Sequence, residues 1–353
     1  MITRLITAAA AAAVLLCTGA GWARACPCAV RPVAAPAGAH PVGRTEVVLT
    51  DAGRVVVASV WYPSTMRGTA PYIPASNPIA AVRIAAEAAE WMHTTPATAR
   101  TMIAAVVDAA EGAPVDTRLG RLPVVVMSPG LGTPRWILSS LAEDAASRGS
   151  IAVAMDHLGE SPAVELPGGR IVVGDGTRPD DAGYMRARLD ARLADTRLIL
   201  DRLPTLPIVG TAADLERVAM LGHSYGGLTA VQTMSTDARV RAAVMVDAPA
   251  GWSGVAGPVD PRRPVLALQL TTPWPSSWAR QTGADAATVL GAAHYSATDL
   301  CSLGAAGDAQ LCGTITPDRA TAVCRGVIER WLDRQLLGDA GPRFAAPELH
   351  WQP

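Results

Sequence analysis

The chain has 353 residues, half of them hydrophobic, with 30 Lys and Arg against 31 Asp and Glu. That is enough length and apolar content for one large α/β domain or two small ones. A chain this close to neutral, with no basic run or stripe, is not built to bind nucleic acid.

Residues 1–25 read as an export signal. Arg4 supplies a positive start, residues 5–16 form an apolar stretch too short to cross a bilayer, and Ala23-Arg24-Ala25 fits a small-x-small cleavage site. Lipid anchoring at Cys17 or Cys26 is the alternative, though neither is preceded by a good lipobox. Residues 26–43, rich in Pro and Ala, read as a linker. A single domain is expected over 44–340, followed by a polar tail over 341–353.

Residues 47–49 and 55–62 bracket Asp51-Ala52-Gly53 and predict an antiparallel hairpin. Residues 79–92 and 97–110 show helical spacing, the second stretch opening after Pro96. Both lie in an insertion over 76–118, expected either to cap the site as a lid or to shield a sheet edge. Residues 123–127 form an unbroken apolar run, as a central parallel strand does, and end in Ser128-Pro129-Gly130-Leu131-Gly132. A helix over 136–146 and a strand over 151–155 follow, the latter ending in Asp156-His157. A small hairpin is expected within 166–173 and a long amphipathic helix over 184–203.

Residues 218–221 then predict a short strand before Gly222-His223-Ser224-Tyr225-Gly226-Gly227, and 228–234 begin a helix. Strands over 242–246, 264–270 and 287–290 complete the pattern, with Asp247 after the first and His294 after the last. A closing helix covers 317–337. This alternation predicts an α/β fold with a doubly wound, mostly parallel sheet and an N-terminal antiparallel hairpin. In such sheets working residues gather on loops at the carboxyl ends of the strands. Ser128 to Gly132, Asp156-His157, Ser224, Asp247 and His294 all fall there.

Strand, Gly-x-Ser-x-Gly, helix is the pattern of a nucleophile elbow. A serine hydroxyl needs a base to take its proton, and a carboxylate to orient that base. Two histidines lie beyond the elbow. His350 sits in the tail, so His294 is the expected base. Asp247 is the expected acid, because the next strand runs into Thr271-Thr272-Pro273 without a carboxylate, Asp285 precedes a strand and Asp299 follows His294. Asp156 and Glu160 precede the serine and read as structural. The backbone N–H groups of Leu131 and Tyr225 are the expected oxyanion donors. Trp252, Trp274 and Trp278 are candidates to line the substrate pocket. Gly130-x-Gly132 is not a dinucleotide fingerprint, since the third glycine is missing. No metal site or cofactor is expected. Cys301 and Cys312 flank a Gly/Ala-rich loop and are the first choice for a disulfide. Cys312 with Cys324 competes, and Cys26 and Cys28 could reach Cys324 or stay free.

These segments together resemble the platelet-activating factor acetylhydrolase family of the α/β-hydrolase fold. The strand and loop from Val124 to Gly132, the run from Ala145 to His157, the elbow, Val246-Asp247-Ala248, the stretch from His294 to Leu300 and the C-terminal helix carry the likeness. It extends over roughly 45–340 and is weakest over 64–118. Pro129 stands where the family usually has histidine. The resemblance implies Asp247 as the acid and hydrolysis of short-acyl esters without metal or calcium. The expected partner is therefore a small ester or lipid, with transient contact to a lipid surface. A cutinase-like polyester hydrolase, and a non-catalytic cell-envelope protein that kept the fold, are the alternatives.

Overall fold

The computed structural model describes residues 33–176, 181–249, 251, 254–260, 262–271 and 283–352. The export signal, Cys26, Cys28, Trp252, Trp274 and Trp278 lie outside the described residues.

The elements in order are β1 (Val42–Asp51), β2 (Arg54–Pro63), β3 (Ala70–Pro71), α1 (Pro78–Trp91), α2 (Pro96–Ala104), β4 (Val106–Val107), β5 (Ala109–Glu111), β6 (Leu122–Ser128), α3 (Ser139–Ser147), β7 (Ile151–Met155), β8 (Ala163–Leu166), β9 (Arg170–Val173), α4 (Ala182–Arg202), β10 (Ala213–His223), α5 (Tyr225–Thr236), β11 (Val240–Val246), β12 (Val265–Gln269), β13 (Asp285–Val289), α6 (Pro317–Leu336) and β14 (Leu349–Trp351). Among the described residues ten strands form one sheet in the order β14-β13-β12-β11-β10-β6-β7-β2-β1-β5. From β7 to β13 neighbouring strands run parallel. The β1–β2 hairpin joins antiparallel to β7, so the expected doubly wound sheet with an antiparallel start is present.

Alternating side chains feed two cores, one on each face. Along β6, Val124 and Val126 face the layer that holds Leu198 and Ile199 of α4 and Val231 and Met234 of α5. Val125 and Met127 face the layer with Leu141 of α3, Val327 of α6 and Ile84 of α1. Each such burial is worth about 1.5–3 kcal/mol over exposure, which is why these strands read as unbroken apolar runs.

The helix expected over 97–110 stops at Ala104. Ala105 turns to extended backbone (φ −70°, ψ 148°), and the chain then makes two short strands. β4 pairs with β3, and β5 runs parallel to β1 at the sheet edge. The β-branched Val106 and Val107 favour that pairing over continued helix. The insertion is therefore part helix and part sheet. At the other edge the tail contributes β14, antiparallel to β13, with His350 exposed on it. The segment read as linker is tied to α3 and α6 from residue 34 onward. Arg325 donates to the carbonyls of Ala34 and Ala35, and Ala37 N donates to Asp144 Oδ1 at 2.7 Å.

Between α3 and α6 lie carboxyls that burial penalises when charged. Desolvation, helped by Asp144, pushes Glu329 up to about 8. The folded state then holds a proton that the unfolded chain releases near the ordinary glutamate pKa of about 4.3. Between those two values the folded state binds more protons, so stability falls as pH rises. Glu329→Gln is expected to flatten this dependence: its Tm should fall less than the wild type's between pH 5 and pH 8. Equal falls in parallel thermal melts would mean that Glu329 is charged in the fold.

Candidate active site

Ser224 stands between β10 and α5 at φ 53°, ψ −126°. That is a sparsely populated region for a non-glycine residue, and it persists only where the surroundings impose it. Its N–H donates to Val246 O at 2.8 Å. A methyl on Gly222 would lie 2.0 Å from the Gly226 carbonyl, and one on Gly226 would lie 2.0 Å from Ser128 O. Two glycines are thus required by space. α5 begins at Tyr225, so its first N–H groups open beside the serine.

Asp247 follows β11 and also has positive φ (46°). Its carboxylate is buried and fully used. Oδ1 accepts from Leu270 N (2.9 Å) and Thr271 N (3.2 Å), and Oδ2 accepts from Thr271 Oγ1 (2.8 Å) and lies 2.6 Å from His294 Nδ1. Burial works to raise its pKa, but His294, the Leu270 amide and Thr271 outweigh that and hold it below the usual carboxylate range. An ionised carboxylate only accepts, so His294 Nδ1 is the donor in this contact, which in the neutral ring leaves Nε2 as the acceptor. Thr271 stands where a later acid would have been sought. The other two carboxyls set aside on sequence order are engaged elsewhere: Asp285 with Trp331 Nε1 (2.8 Å) and Asp299 with Tyr72 OH (2.9 Å).

His294 sits on a turn after β13. Tyr295 N donates to Leu311 O (2.9 Å) and Ser296 Oγ to Cys312 O (2.8 Å). The Cys301–Cys312 disulfide closes the same loop, as expected. Cys324, the competing partner, is a buried free thiol pushed up to about 12 by desolvation.

His223, the variable residue of the elbow, has a role that sequence reasoning missed. Its Nε2 donates to His294 O at 2.7 Å, and the two rings are 4.6 Å apart between centroids. Desolvation first, then the neighbouring His294, bring its pKa down to about 3, so it is neutral at working pH.

The Gly130-Leu131-Gly132 loop lies directly against the serine. A methyl on Gly130 would be 3.3 Å from Ser224 Cβ. Thr133 N and Oγ1 both donate to Gly130 O, at 3.1 and 3.0 Å. Trp91, at the end of α1, covers the far side of the loop: a methyl on Gly132 would fall 1.6 Å from its Nε1. The insertion thus reaches the site through one indole, for which the sequence shows no signal beyond a helix-ending aromatic. Ser224, Asp247, His294, Tyr225 and Leu131 all gather at one end of the parallel sheet. Asp156 and Glu160, read as structural, pair with buried Arg135 and Arg192.

The profile of the family described as platelet-activating factor acetylhydrolase, isoform II, matches residues 30–166 and 205–252. A protein of Arthroderma benhamiae described as a probable 1-alkyl-2-acetylglycerophosphocholine esterase is 30% identical over 170 residues, 47% of this chain and 42% of that protein. The platelet-activating factor acetylhydrolase of Bos taurus is 28% identical over 156 residues, 36% of this chain and 35% of that one. The chain thus spans less than half the length of these curated relatives. The solved ferulic acid esterase from Streptomyces cinnamoneus is similar throughout, with TM-score 0.72 and 29% identity over 91% of this chain and 99% of that one. A dienelactone hydrolase-like promiscuous phosphotriesterase from metagenomic libraries, 17% identical, shares the fold at TM-score 0.51, covering 84% of this chain and 99% of that one.

The Trp91–Gly132 contact has a measurable consequence. Gly132 has φ 66°, so Gly132→Ala combines left-handed backbone with a collision against the indole. It is expected to cost about 2–4 kcal/mol in urea unfolding. Trp91→Ala in the same chain should relieve part of that loss. A cost under about 0.5 kcal/mol, within the range of an ordinary surface change, would show that the indole does not press on the loop.

Proposed function

The chain belongs to the platelet-activating factor acetylhydrolase family, whose profile matches just over half of it, and from that premise we propose that it is a serine esterase cleaving short-acyl carboxylic esters. Ser224 Oγ attacks the ester carbonyl while His294 Nε2 takes its proton. Asp247 orients His294 and stabilises the imidazolium that forms. The Leu131 and Tyr225 N–H groups receive the oxyanion. His294 then protonates the leaving alcohol, and a water molecule hydrolyses the acyl-enzyme by the reverse sequence.

The observation that carries this reading is the 2.6 Å contact of His294 Nδ1 with Asp247 Oδ2, at the end of the strand next to a serine in elbow conformation. The position after β12, where a cutinase-like acid would be expected, holds a threonine that donates to Asp247 instead. The family points to acetyl esters, including phospholipid-type ones. A second reading, a hydroxycinnamate ester, is favoured by the likeness to the ferulic acid esterase and by the Trp91 indole beside the oxyanion loop. Trp252, Trp274 and Trp278 stay candidates for the pocket. The apolar N-terminal segment and the Cys301–Cys312 disulfide support export to an oxidising compartment.

A fluorophosphonate probe is expected to label the wild type and not Ser224→Ala. Equal labelling of both, or of neither, would sink the esterase reading in favour of a non-catalytic protein. Asp247→Asn should lower kcat about 10⁴-fold, since it leaves His294 in the wrong tautomer. Turnover of p-nitrophenyl acetate, butyrate and octanoate, a 2-acetyl phospholipid and methyl ferulate ranks the substrates. Acetyl esters should lead, and methyl ferulate in first place would select the second reading.

A further inference from the structure

α4 reads from sequence as a long amphipathic helix, and such a helix ordinarily turns its charged residues to water. Arg192 does not, for its side chain is 1% exposed. Its Nη1 donates to Pro129 O at 2.8 Å and to Ser128 Oγ at 3.1 Å, and its Nη2 to Gly130 O at 3.1 Å. Nε spans both oxygens of Glu160, at 2.9 and 3.1 Å, and Nη2 meets Glu160 as well. Ser128 Oγ is bonded in turn by His157 Nε2 (2.8 Å), His157 Nδ1 by Asp195 Oδ2 (2.8 Å), and Asp195 Oδ1 by Arg54 Nη1 (2.5 Å). Burying a guanidinium and carboxylates is costly unless each is fully paired. The proposed chemistry uses none of these groups directly, yet they form one network that meets the backbone of the β6 loop through Arg192.

We infer that Arg192 is a positioning residue for the oxyanion hole, aiming the Leu131 N–H by holding the carbonyls of Pro129 and Gly130. The inference rests on the proposed ester hydrolysis at Ser224. Gly130 C=O and Leu131 N–H belong to one planar trans peptide, which sends them to opposite sides. Fixing the oxygen on the Arg192 side therefore fixes where the N–H points. Glycines bring this loop against Ser224 but leave its backbone conformationally permissive, so the bonds to the Pro129 and Gly130 oxygens decide how it is held. A planar guanidinium presents its donors to two successive carbonyls in a fixed fork, whereas a lysine ammonium is a compact point charge with freely rotating donors. Thr133 supports the same Gly130 oxygen from within the loop. The guanidinium carbon also lies 5.2 Å from the Tyr225 ring centroid, so one group borders both donor residues. The Ser128–His157–Asp195 chain has the order of a nucleophilic triad, but Ser128 is sealed from solvent. It steadies Arg192 through the serine hydroxyl.

The test compares Arg192→Met, Arg192→Lys and Arg192→Met/Glu160→Gln, the last leaving no carboxylate stranded. Active sites are counted by fluorophosphonate labelling to completion. kcat and KM are measured on p-nitrophenyl acetate, alongside inhibition by a trifluoromethyl ketone, whose hemiketal oxygen occupies the oxyanion position. kcat per active site should fall about 10²-fold in both methionine variants and about 10-fold in Arg192→Lys, with KM little changed. The inhibition constant should rise in proportion to the fall in kcat/KM. A merely structural role would reduce the active fraction and Tm while leaving kcat per site and the inhibition constant at wild-type values. That result in any folded variant overturns the inference. If the methionine variants do not fold, Arg192→Lys decides by the same measurements. A wild type without Ser224-dependent turnover would overturn the proposed function and this inference with it, whereas an active wild type with unaltered variants overturns this inference alone.

Discussion

At Gly226 the carbonyl oxygen of Ser128 occupies space 2.0 Å from where any other residue would place its Cβ. That closeness couples the start of α5 to the end of β6. It follows from the parallel register of β6 and β10, in which Gly222 is level with Ser128. The same sheet sets His223 level with Val246, so Ser224 N reaches Val246 O and Asp247 begins one strand away. The turn at Ser224 and the start of Asp247 are thus positioned by strand pairing rather than by their own side chains. The strain at Ser224, of order 1–3 kcal/mol for such backbone, is sustained because β6, β10 and β11 leave it no other path.

His294 has no such support from the sheet, because it lies beyond the end of β13. Its loop is held by hydrogen bonds from the chain around the Cys301–Cys312 disulfide and by His223 from beneath. Asp247 in turn depends on Thr271 and the Leu270 amide. These supports differ in kind: strands place Ser224 and Asp247, whereas a cross-linked loop places His294.

The alternation of strands and helices is legible because central parallel strands are buried on both faces and carry continuous apolar runs. β5 and β14 are not legible. Each is three residues long, and what makes each a strand is a partner distant in sequence. Ala109-Ala110-Glu111 has no β pattern of its own, so the helical spacing before it runs on in the sequence past the point where Val106 and Val107 end it. In the site, Ser224, Asp247 and His294 stand out because they fall at strand ends. Arg192 does not, since among Arg186, Arg188 and Arg197 on the same helix it looks like one more solvated charge. Only its tertiary position beneath the β6 loop distinguishes it. Trp91 is hidden for the same reason: a helix-ending tryptophan in an insertion gives no hint of what it covers.

The pair of imidazoles at the centre raises a question of charge. Two protonated rings with centroids 4.6 Å apart would repel each other strongly in a buried setting. The fold resolves this by making the two environments unlike. His223 is sealed, its Nε2–H committed to the His294 carbonyl, and desolvation keeps it neutral. His294 is about one-third exposed and faces an ionised carboxylate supported by three other hydrogen bonds. Under the proposed mechanism the transient positive charge therefore forms on His294, opposite Asp247, with no competing cation beneath it. A histidine inside the elbow is compatible with the proposed mechanism because burial keeps it neutral, and its one donor is spent on the His294 carbonyl.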